Sequence, residues 1–141
     1  MYPVFTGALI VVFLALALLH VYWAFGGKLG LGATVPSQDG RPVFEPGAAA
    51  TLAVAMALVA AAAVCALRSG WLRLGEPSWV ASLGIWVIAL VFAARAVGDF
   101  RFVGFFKRVR GSDFARRDTF IYSPLCASIA FMAAGVAILA P

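Results

Sequence analysis

Four apolar segments alternate along the chain with shorter polar stretches, and they cover residues 4–25, 48–67, 79–98 and 120–140. A helix of about 20 apolar residues crosses the hydrocarbon core of a bilayer, so each segment predicts one transmembrane helix. The intervening stretches are rich in glycine, proline and charge, as connections between helices are. The pattern predicts an all-α membrane protein. We expect a single membrane domain over residues 1–141, a four-transmembrane-helix bundle with a short interfacial segment between helices 3 and 4.

The composition excludes a soluble fold. Of the 141 residues, 64% are hydrophobic and 12% are charged, whereas soluble domains are roughly a quarter charged. A water-soluble domain of this size could not bury so much apolar surface. A lipid bilayer can accept it.

The basic residues are concentrated in one part of the chain. The formal net charge is +5, and seven of the eleven Lys and Arg residues lie in residues 95–117, between two apolar segments. This confinement favours a loop on the membrane surface, with anionic lipids as partners rather than nucleic acid.

The same residues predict the orientation. The first and third loops, with the end of the third segment, carry nine basic residues, and the N-terminus, second loop and C-terminus carry two. Because basic loops stay in the cytoplasm, we expect loops one and three inside and both termini outside.

The polar residues within or beside the spans converge on the predicted cytoplasmic end. We take six of them as candidate ligand-binding residues: His20, Trp23, Arg95, Asp99, Asp118 and Tyr122. Glu45 and Ser123 fall in the same layer. Ionisable groups at membrane depth usually face the bundle interior and find partners there.

Arg95 and Asp99 are four residues apart, on one face of the third helix. The spacing indicates an internal ion pair or an Arg95 side chain that extends to lipid phosphate. In the alternative, Arg95 holds an anionic group and Asp99 orients it. We interpret His20 as a residue that makes a structural hydrogen bond to a neighbouring helix, or else as a group for ligand binding or proton transfer. Asp118 and the Ser123-Pro124 pair are both candidates to cap the fourth helix.

The third loop interleaves phenylalanines with cations, which is typical of a segment that lies in the headgroup plane. Its predicted membrane-interface residues are Phe105, Phe106, Lys107, Arg108, Arg110, Arg116 and Arg117. The first loop is long and rich in glycine and proline, and we interpret it as a lid over the polar layer or as a passive connector.

No metal site and no cofactor are expected. His20 is the only histidine, and Cys65 and Cys126 lie in different apolar segments, near opposite membrane faces. A zinc site needs three or four clustered ligands. The same separation argues against a disulfide.

Two alanine series have helical spacing: Ala49, Ala53, Ala57 and Ala60 in the second segment, and Ala127, Ala130, Ala134 and Ala137 in the fourth. Small residues let helices approach closely within a membrane. These faces are expected to pack the bundle, or else to contact a second copy or a larger membrane complex.

Three motifs carry a family resemblance: HVYWAFGG (residues 20–27), GDFRFVGFFK (98–107) and FARRDTFIYSPLC (114–126). They are similar to a family of small four-span bacterial integral membrane proteins classed as a domain of unknown function. The resemblance covers essentially the whole chain. It implies four helices and a bacterial inner membrane, and it brings no reaction. By resemblance, the positions to test first are His20, Trp23, Gly26, Gly27, Arg95, Asp99, Phe105, Lys107, Asp118, Tyr122, Ser123 and Pro124.

Three functions remain open. The first is a non-enzymatic protein that binds a lipid headgroup or small amphiphile at its cytoplasmic polar layer. The second is an accessory subunit of a larger membrane complex. The third is a small membrane enzyme that uses His20 and nearby carboxylates, for which two groups would have to reach one substrate atom.

Overall fold

The structure, a computed structural model, describes residues 1–38, 41–42, 46–75 and 77–140. The helices are α1 (Tyr2–Ala24), α2 (Ala48–Arg68), α3 (Ser78–Val97), α4 (Asp113–Arg117) and α5 (Ser123–Leu139), with a 3₁₀ turn at Leu31–Ala33 and a π-helical turn at Asp118–Tyr122. In the first loop, β1 (Ser37–Gln38) and β2 (Arg41–Pro42) form a two-residue antiparallel pair in which Ser37 faces Pro42 and Gln38 faces Arg41. Within these described ranges, four helices are long and apolar enough to cross a membrane. The predicted all-α, four-helix membrane architecture is confirmed.

The first three membrane helices begin and end within two residues of the predicted spans, but the fourth begins earlier. It runs without a break from Asp113 to Leu139 through α4, the π-helical turn and α5. Its cap is Ser112, whose Oγ accepts a hydrogen bond from the Ala115 amide at 3.1 Å. Neither Asp118 nor Ser123 caps this helix, because both lie inside it.

The π-helical turn lies directly before Pro124. Here the Ser123 amide donates to the Asp118 carbonyl, five residues back. A proline has no amide hydrogen, and its ring clashes with the carbonyl four residues earlier in an ordinary α-helix. We attribute the wider turn to this clash. π-Helical turns are rare in proteins overall, and many of those that occur lie at functional sites.

Consecutive membrane helices run antiparallel. At one end of the bundle, Thr6 of α1 bonds to Ser69 after α2, and Arg68 reaches α5 at Ala137 and Ala140. We call this the Ser69 end. At the other end, α1 and α3 finish while α2 and the fourth membrane helix begin, and we call this the Asp118 end.

The core is apolar and made of side chains from all four membrane helices. The fully buried ring of Phe13 lies 5.5 Å from that of the partly buried Phe92, and Leu9, Ile85 and Ile129 in the same core are fully buried. Many other apolar side chains are exposed on the outside, as expected for a surface that contacts lipid.

The alanine series on α2 faces outward. Ala49, Ala53, Ala57 and Ala60 are all exposed, so the expectation that they pack this bundle is wrong. The buried residues of α2 are Thr51, Ala55, Leu58, Ala62 and Cys65. Nearly every face of α2 carries alanines, so spacing alone did not identify the face that packs. The alanine series on α5 is half-buried, and Ala134 and Ala137 pack against the core.

The first loop starts at a tight helix end. The amide of Gly26 donates to the Trp23 carbonyl and that of Gly27 to the Tyr22 carbonyl, and Gly26 has a φ of 91°. This is the Schellman pattern, for which glycine is preferred. The 3₁₀ turn of this loop packs against α4. Glu45 lies outside the described residues.

Candidate functional site

A buried carboxylate organises the Asp118 end. The side chain of Asp118 is completely buried. Its Oδ1 accepts a hydrogen bond from Arg95 Nη2 at 2.9 Å. Its Oδ2 accepts from the Gly104 amide at 2.7 Å, from Lys107 Nζ at 3.0 Å and from Ser123 Oγ at 3.2 Å. A buried carboxylate is stable only when it is paired and hydrogen-bonded in this way.

Lys107 is the second buried charge of this cluster. Its side chain is 1% exposed. The ammonium donates to Asp118, to the Gly104 carbonyl at 2.9 Å and to Thr119 Oγ1 at 2.7 Å. An ammonium has three donors, so all three are used. Lys107 was predicted at the membrane interface. The structure corrects this, because its charge is enclosed by protein acceptors.

Arg95 reaches Asp118, 23 residues further along the chain, rather than Asp99. The expected Arg95–Asp99 ion pair is therefore wrong. The reason is the glycine after the helix: Gly98 has a φ of 94°, and it turns the chain so that Asp99 no longer continues the helical face. The Arg95 side chain is 34% exposed. Its Nη1 is buried and has no hydrogen-bond partner among the residues that the structure describes.

Two glycines close the α3–α4 loop (residues 98–112) on itself. A Cβ on Gly98 would overlap the Val103 carbonyl, and a Cβ on Gly104 would overlap the Val97 carbonyl. Both glycines have positive φ, 94° and 89°. The Phe105 amide then returns to the Ala96 carbonyl at 2.9 Å. The loop is thus fastened to the end of α3, and only glycine fits at the two crossing points.

Asp99 stabilises the loop from inside. Its Oδ1 accepts three consecutive amides, those of Arg101, Phe102 and Val103, at 2.8–2.9 Å. Slight burial raises the pKa of this carboxyl, but the three amide donors lower it more, so its pKa lies below the ordinary value. Asp99 was predicted to bind a ligand. In the structure its Oδ1 instead accepts these three hydrogen bonds from its own loop.

The outer surface of this region is aromatic and basic. Phe100, Phe105, Phe106 and Phe120 are exposed, and the rings of Phe100 and Phe106 lie 6.4 Å apart. Phe100 has a φ of 61°, a conformation that costs energy in a bulky residue and is often found at functional sites. The guanidinium of Arg101 lies 4.9 Å from the centre of the Phe102 ring. The remaining predicted interface arginines, Arg108, Arg110, Arg116 and Arg117, are exposed as well.

A cleft of about 360 Å³ opens between the end of this loop and the start of the fourth membrane helix. Its lining includes two cations, Arg110 and Arg116, one carboxylate, Asp113, and the exposed ring of Phe120. Arg110 is held by a bond from its Nε to the Lys107 carbonyl at 3.2 Å. Chemically, the arrangement suits a small anionic group with an apolar extension.

The other predicted residues have separate partners. His20 Nδ1 lies 2.7 Å from the Leu16 carbonyl of its own helix, rather than bonding to a neighbouring helix as expected, and its ring meets that of Trp23 edge-on at 5.1 Å. Trp23 Nε1 donates to the Leu29 carbonyl at 2.8 Å. The Tyr122 ring is 6.1 Å from that of Phe114.

Cys65 and Cys126 are free and buried, in the last turn of α2 and the first turn of α5. Within the described ranges, no three His, Cys, Asp or Glu residues are grouped closely enough to hold a metal ion.

Sequence reasoning missed the Lys107–Asp118 pair and the roles of Gly98 and Gly104. Two signals could have found them. Lys107 follows two phenylalanines, an unusual place for a solvated lysine. Gly98 directly precedes Asp99 and Gly104 follows five residues after it, and a pair of glycines so close together marks a turn or loop.

Comparison with known protein families gives a match over most of the chain. The family model described as "Protein of unknown function (DUF3995)" matches residues 13–133, a range that contains all three sequence motifs. No curated protein and no solved structure matches the chain.

Proposed function

Since the chain belongs to this family of proteins of unknown function, we propose its role from its own geometry: it is a non-enzymatic, multi-pass protein of the bacterial inner membrane that binds an anionic lipid headgroup or small amphiphile at the Asp118 end. The orientation that goes with this role has the Asp118 end in the cytoplasm and both termini outside. The nine-to-two distribution of basic residues supports it.

One observation carries the proposal. The α3–α4 loop is held by buried polar bonds, while its phenylalanines and arginines stay exposed beside the apolar helices. A loop that only had to connect two helices would not need a buried carboxylate with two cationic partners, since breaking such a pair is costly. Exposed aromatics next to exposed cations match the apolar and anionic layers of a bilayer surface.

Lipid analysis tests this role. The protein is extracted from its membrane in mild detergent, and the co-purified lipids are measured by mass spectrometry against the bulk membrane extract. We expect enrichment of anionic lipids. Bound lipid with the bulk composition would contradict the proposal. For orientation, a reporter enzyme that works only outside the cytoplasm should be active when it is fused to the C-terminus. Activity of a C-terminal reporter that works only in the cytoplasm would contradict the proposed orientation.

The second candidate function is an accessory subunit of a larger membrane complex, or a homo-oligomer. The outward-facing alanines of α2 favour it, because small residues at this spacing allow close helix contact in lipid. Crosslinking in the native membrane tests it: a cysteine at Ala53 should crosslink to another chain, and one at Leu90, exposed on α3, should not.

The enzymatic alternative has less support. Across the described ranges, the contacts of His20 are with Leu16 and Trp23 of its own helix, and Asp118 has both oxygens occupied by protein donors. General acid–base chemistry needs two such groups at one substrate atom.

A further inference from the structure

We infer that the cleft between residues 110 and 120 is a discrete site for one phosphodiester lipid, in which Arg110 and Arg116 hold the phosphate, Asp113 accepts a hydrogen bond from a headgroup hydroxyl, and Phe120 contacts the apolar part. The inference rests on the proposed function and assigns it a site. The ligand class is an anionic glycerophospholipid, with phosphatidylglycerol as the representative.

The side chains that line the cleft carry more positive than negative charge. Arg110 and Arg116 give two guanidinium groups against one carboxylate, Asp113. Guanidinium binds phosphate through paired, charge-assisted hydrogen bonds. The bond from Arg110 to the Lys107 carbonyl uses only Nε, and it fixes the side chain beside the cleft without using the two terminal nitrogens. The site therefore has two exposed arginines, of which Arg110 is held in position by a hydrogen bond.

The surroundings of the cleft explain why these charges are available. Lys107 and one terminal nitrogen of Arg95, Nη2, bond to Asp118. Thr119, which also lines the cleft, accepts from Lys107 and donates to the Ala115 carbonyl. The Asp118 cluster, with two cations on one carboxylate, thus forms a hydrogen-bonded support behind the cleft.

The shape and the apolar part decide between a free ion and a lipid. The cleft has about 360 Å³, near the lower limit of about 300–1,000 Å³ for small-molecule sites. Phe120 is 75% exposed and Ile121, next to it, is 53% exposed. A free phosphate would make no contact with these apolar side chains, whereas a glycerophospholipid would cover them with its glycerol and acyl carbons.

The carboxylate of Asp113 adds a preference among lipids. It would repel a second phosphate, so a headgroup with a single phosphodiester fits best. It can accept a hydrogen bond from the glycerol hydroxyls of phosphatidylglycerol. The quaternary ammonium of phosphatidylcholine has no hydrogen to donate, and it would bring a cation close to two arginines.

Native mass spectrometry tests the inference on the full chain in detergent. Phosphatidylglycerol, phosphatidylcholine and glycerol phosphate are titrated separately. The wild-type protein should retain one phosphatidylglycerol more tightly than phosphatidylcholine, and glycerol phosphate should bind far more weakly. The double variant R110Q/R116Q should lose on the order of tenfold or more in phosphatidylglycerol affinity.

The matched control is K28Q/R73Q. It removes the same charge from two exposed residues that neither line the cleft nor belong to the α3–α4 loop, and it should stay within about twofold of wild type, the effect expected for exposed charges that salt screens. If R110Q/R116Q does not fold, R116Q alone is used. It leaves the Arg110 bond intact and should weaken binding several-fold by the loss of one charge-assisted contact.

The outcomes separate the site from the general function. Equal loss in both double variants would overturn the discrete site and leave anionic-lipid binding at the Asp118 end standing. No preference of the wild-type protein for phosphatidylglycerol would overturn both. Glycerol phosphate binding as tightly as the lipid would overturn the lipid assignment in favour of a soluble phosphate ester.

Discussion

The two ends of the bundle are closed by different chemistry. Among the residues that the structure describes at the Ser69 end, Thr6 and Ser69 share a buried hydroxyl pair at 2.6 Å, and Arg68 donates to the carbonyls of Ala137, in the last turn of α5, and Ala140, the residue after it. Those carbonyls have no intrahelical donor, so Arg68 completes a helix end. At the Asp118 end a fully buried carboxylate takes two cations and a loop amide. The first arrangement joins helices, and the second fixes the shape of a surface loop.

The difference suggests where function lies. The loss of one partner from a neutral hydrogen bond at a helix end costs a modest free energy. A buried ion cluster is stable only while every partner is present, because a charge without its partner is costly to bury. A protein would retain the second arrangement where a particular loop conformation matters. The exposed phenylalanines and arginines of the α3–α4 loop depend on that conformation.

The largest expected effect is from Asp118→Asn. The change leaves Lys107 buried without a counter-charge, so unfolding should become easier by about 3–5 kcal/mol. Thermal or denaturant unfolding in detergent measures it. The matched control, Asp113→Asn, alters an exposed carboxylate and should change stability little. An equal loss of stability in the two variants would contradict the claim that the buried carboxylate stabilises the fold more than the exposed one.

Gly104→Ala should come next. The new methyl group would overlap the Val97 carbonyl at a positive φ, which costs about 1–3 kcal/mol or forces the loop to open. Gly111→Ala is the control, because a Cβ there meets nothing within 4 Å. Amide exchange of Phe105 and Phe106 should speed up in the first variant and stay unchanged in the second. Unchanged exchange in both would contradict the closed loop.

A smaller effect is expected at the Ser69 end from Thr6→Val. The Thr6 hydroxyl donates to the Tyr2 carbonyl, so Ser69 is the donor in the pair and would lose its acceptor. The loss of a neutral buried hydrogen bond costs about 1–2 kcal/mol. Unfolding measured beside Asp118→Asn tests the comparison directly: a loss as large as that of Asp118→Asn would show that the two ends do not differ in kind.

The smallest effect concerns pH. Because the pKa of Asp99 is lowered in the folded protein, its contribution to stability is present above the unfolded pKa, ordinarily near 3.8, and is lost as the pH falls through the lower folded value. The stability difference between wild type and Asp99→Asn should therefore shrink on going from pH 6 to pH 3. A difference that does not depend on pH would contradict the role of the three amides.

Much of the fold could be predicted from the sequence, because length and hydropathy determine where helices cross a membrane. The start of the fourth membrane helix could not, since Asp113–Arg117 is as polar as a loop and its helical state depends on the Ser112 cap and the turn before Pro124. The outward face of α2 was missed because alanines occur all round that helix.

The candidate site was predicted only in its location. The Asp118 end does hold the polar side chains, but the pairing was wrong. Helical spacing suggests partners four residues away, and here three of the four partners of the Asp118 side chain among the described residues lie 11, 14 and 23 residues away. Such contacts depend on how the chain turns at Gly98 and Gly104, and local spacing cannot give that.

The most direct test compares lipid preference after damage to each end. The ratio of phosphatidylglycerol to phosphatidylcholine affinity is measured by native mass spectrometry for wild type, Asp118→Asn and Thr6→Val, each below its unfolding temperature. We predict a preference for phosphatidylglycerol in wild type and Thr6→Val, and its loss in Asp118→Asn because the loop is no longer held. A full preference in Asp118→Asn, or none in wild type, would contradict the claim that the buried carboxylate shapes a lipid-binding surface.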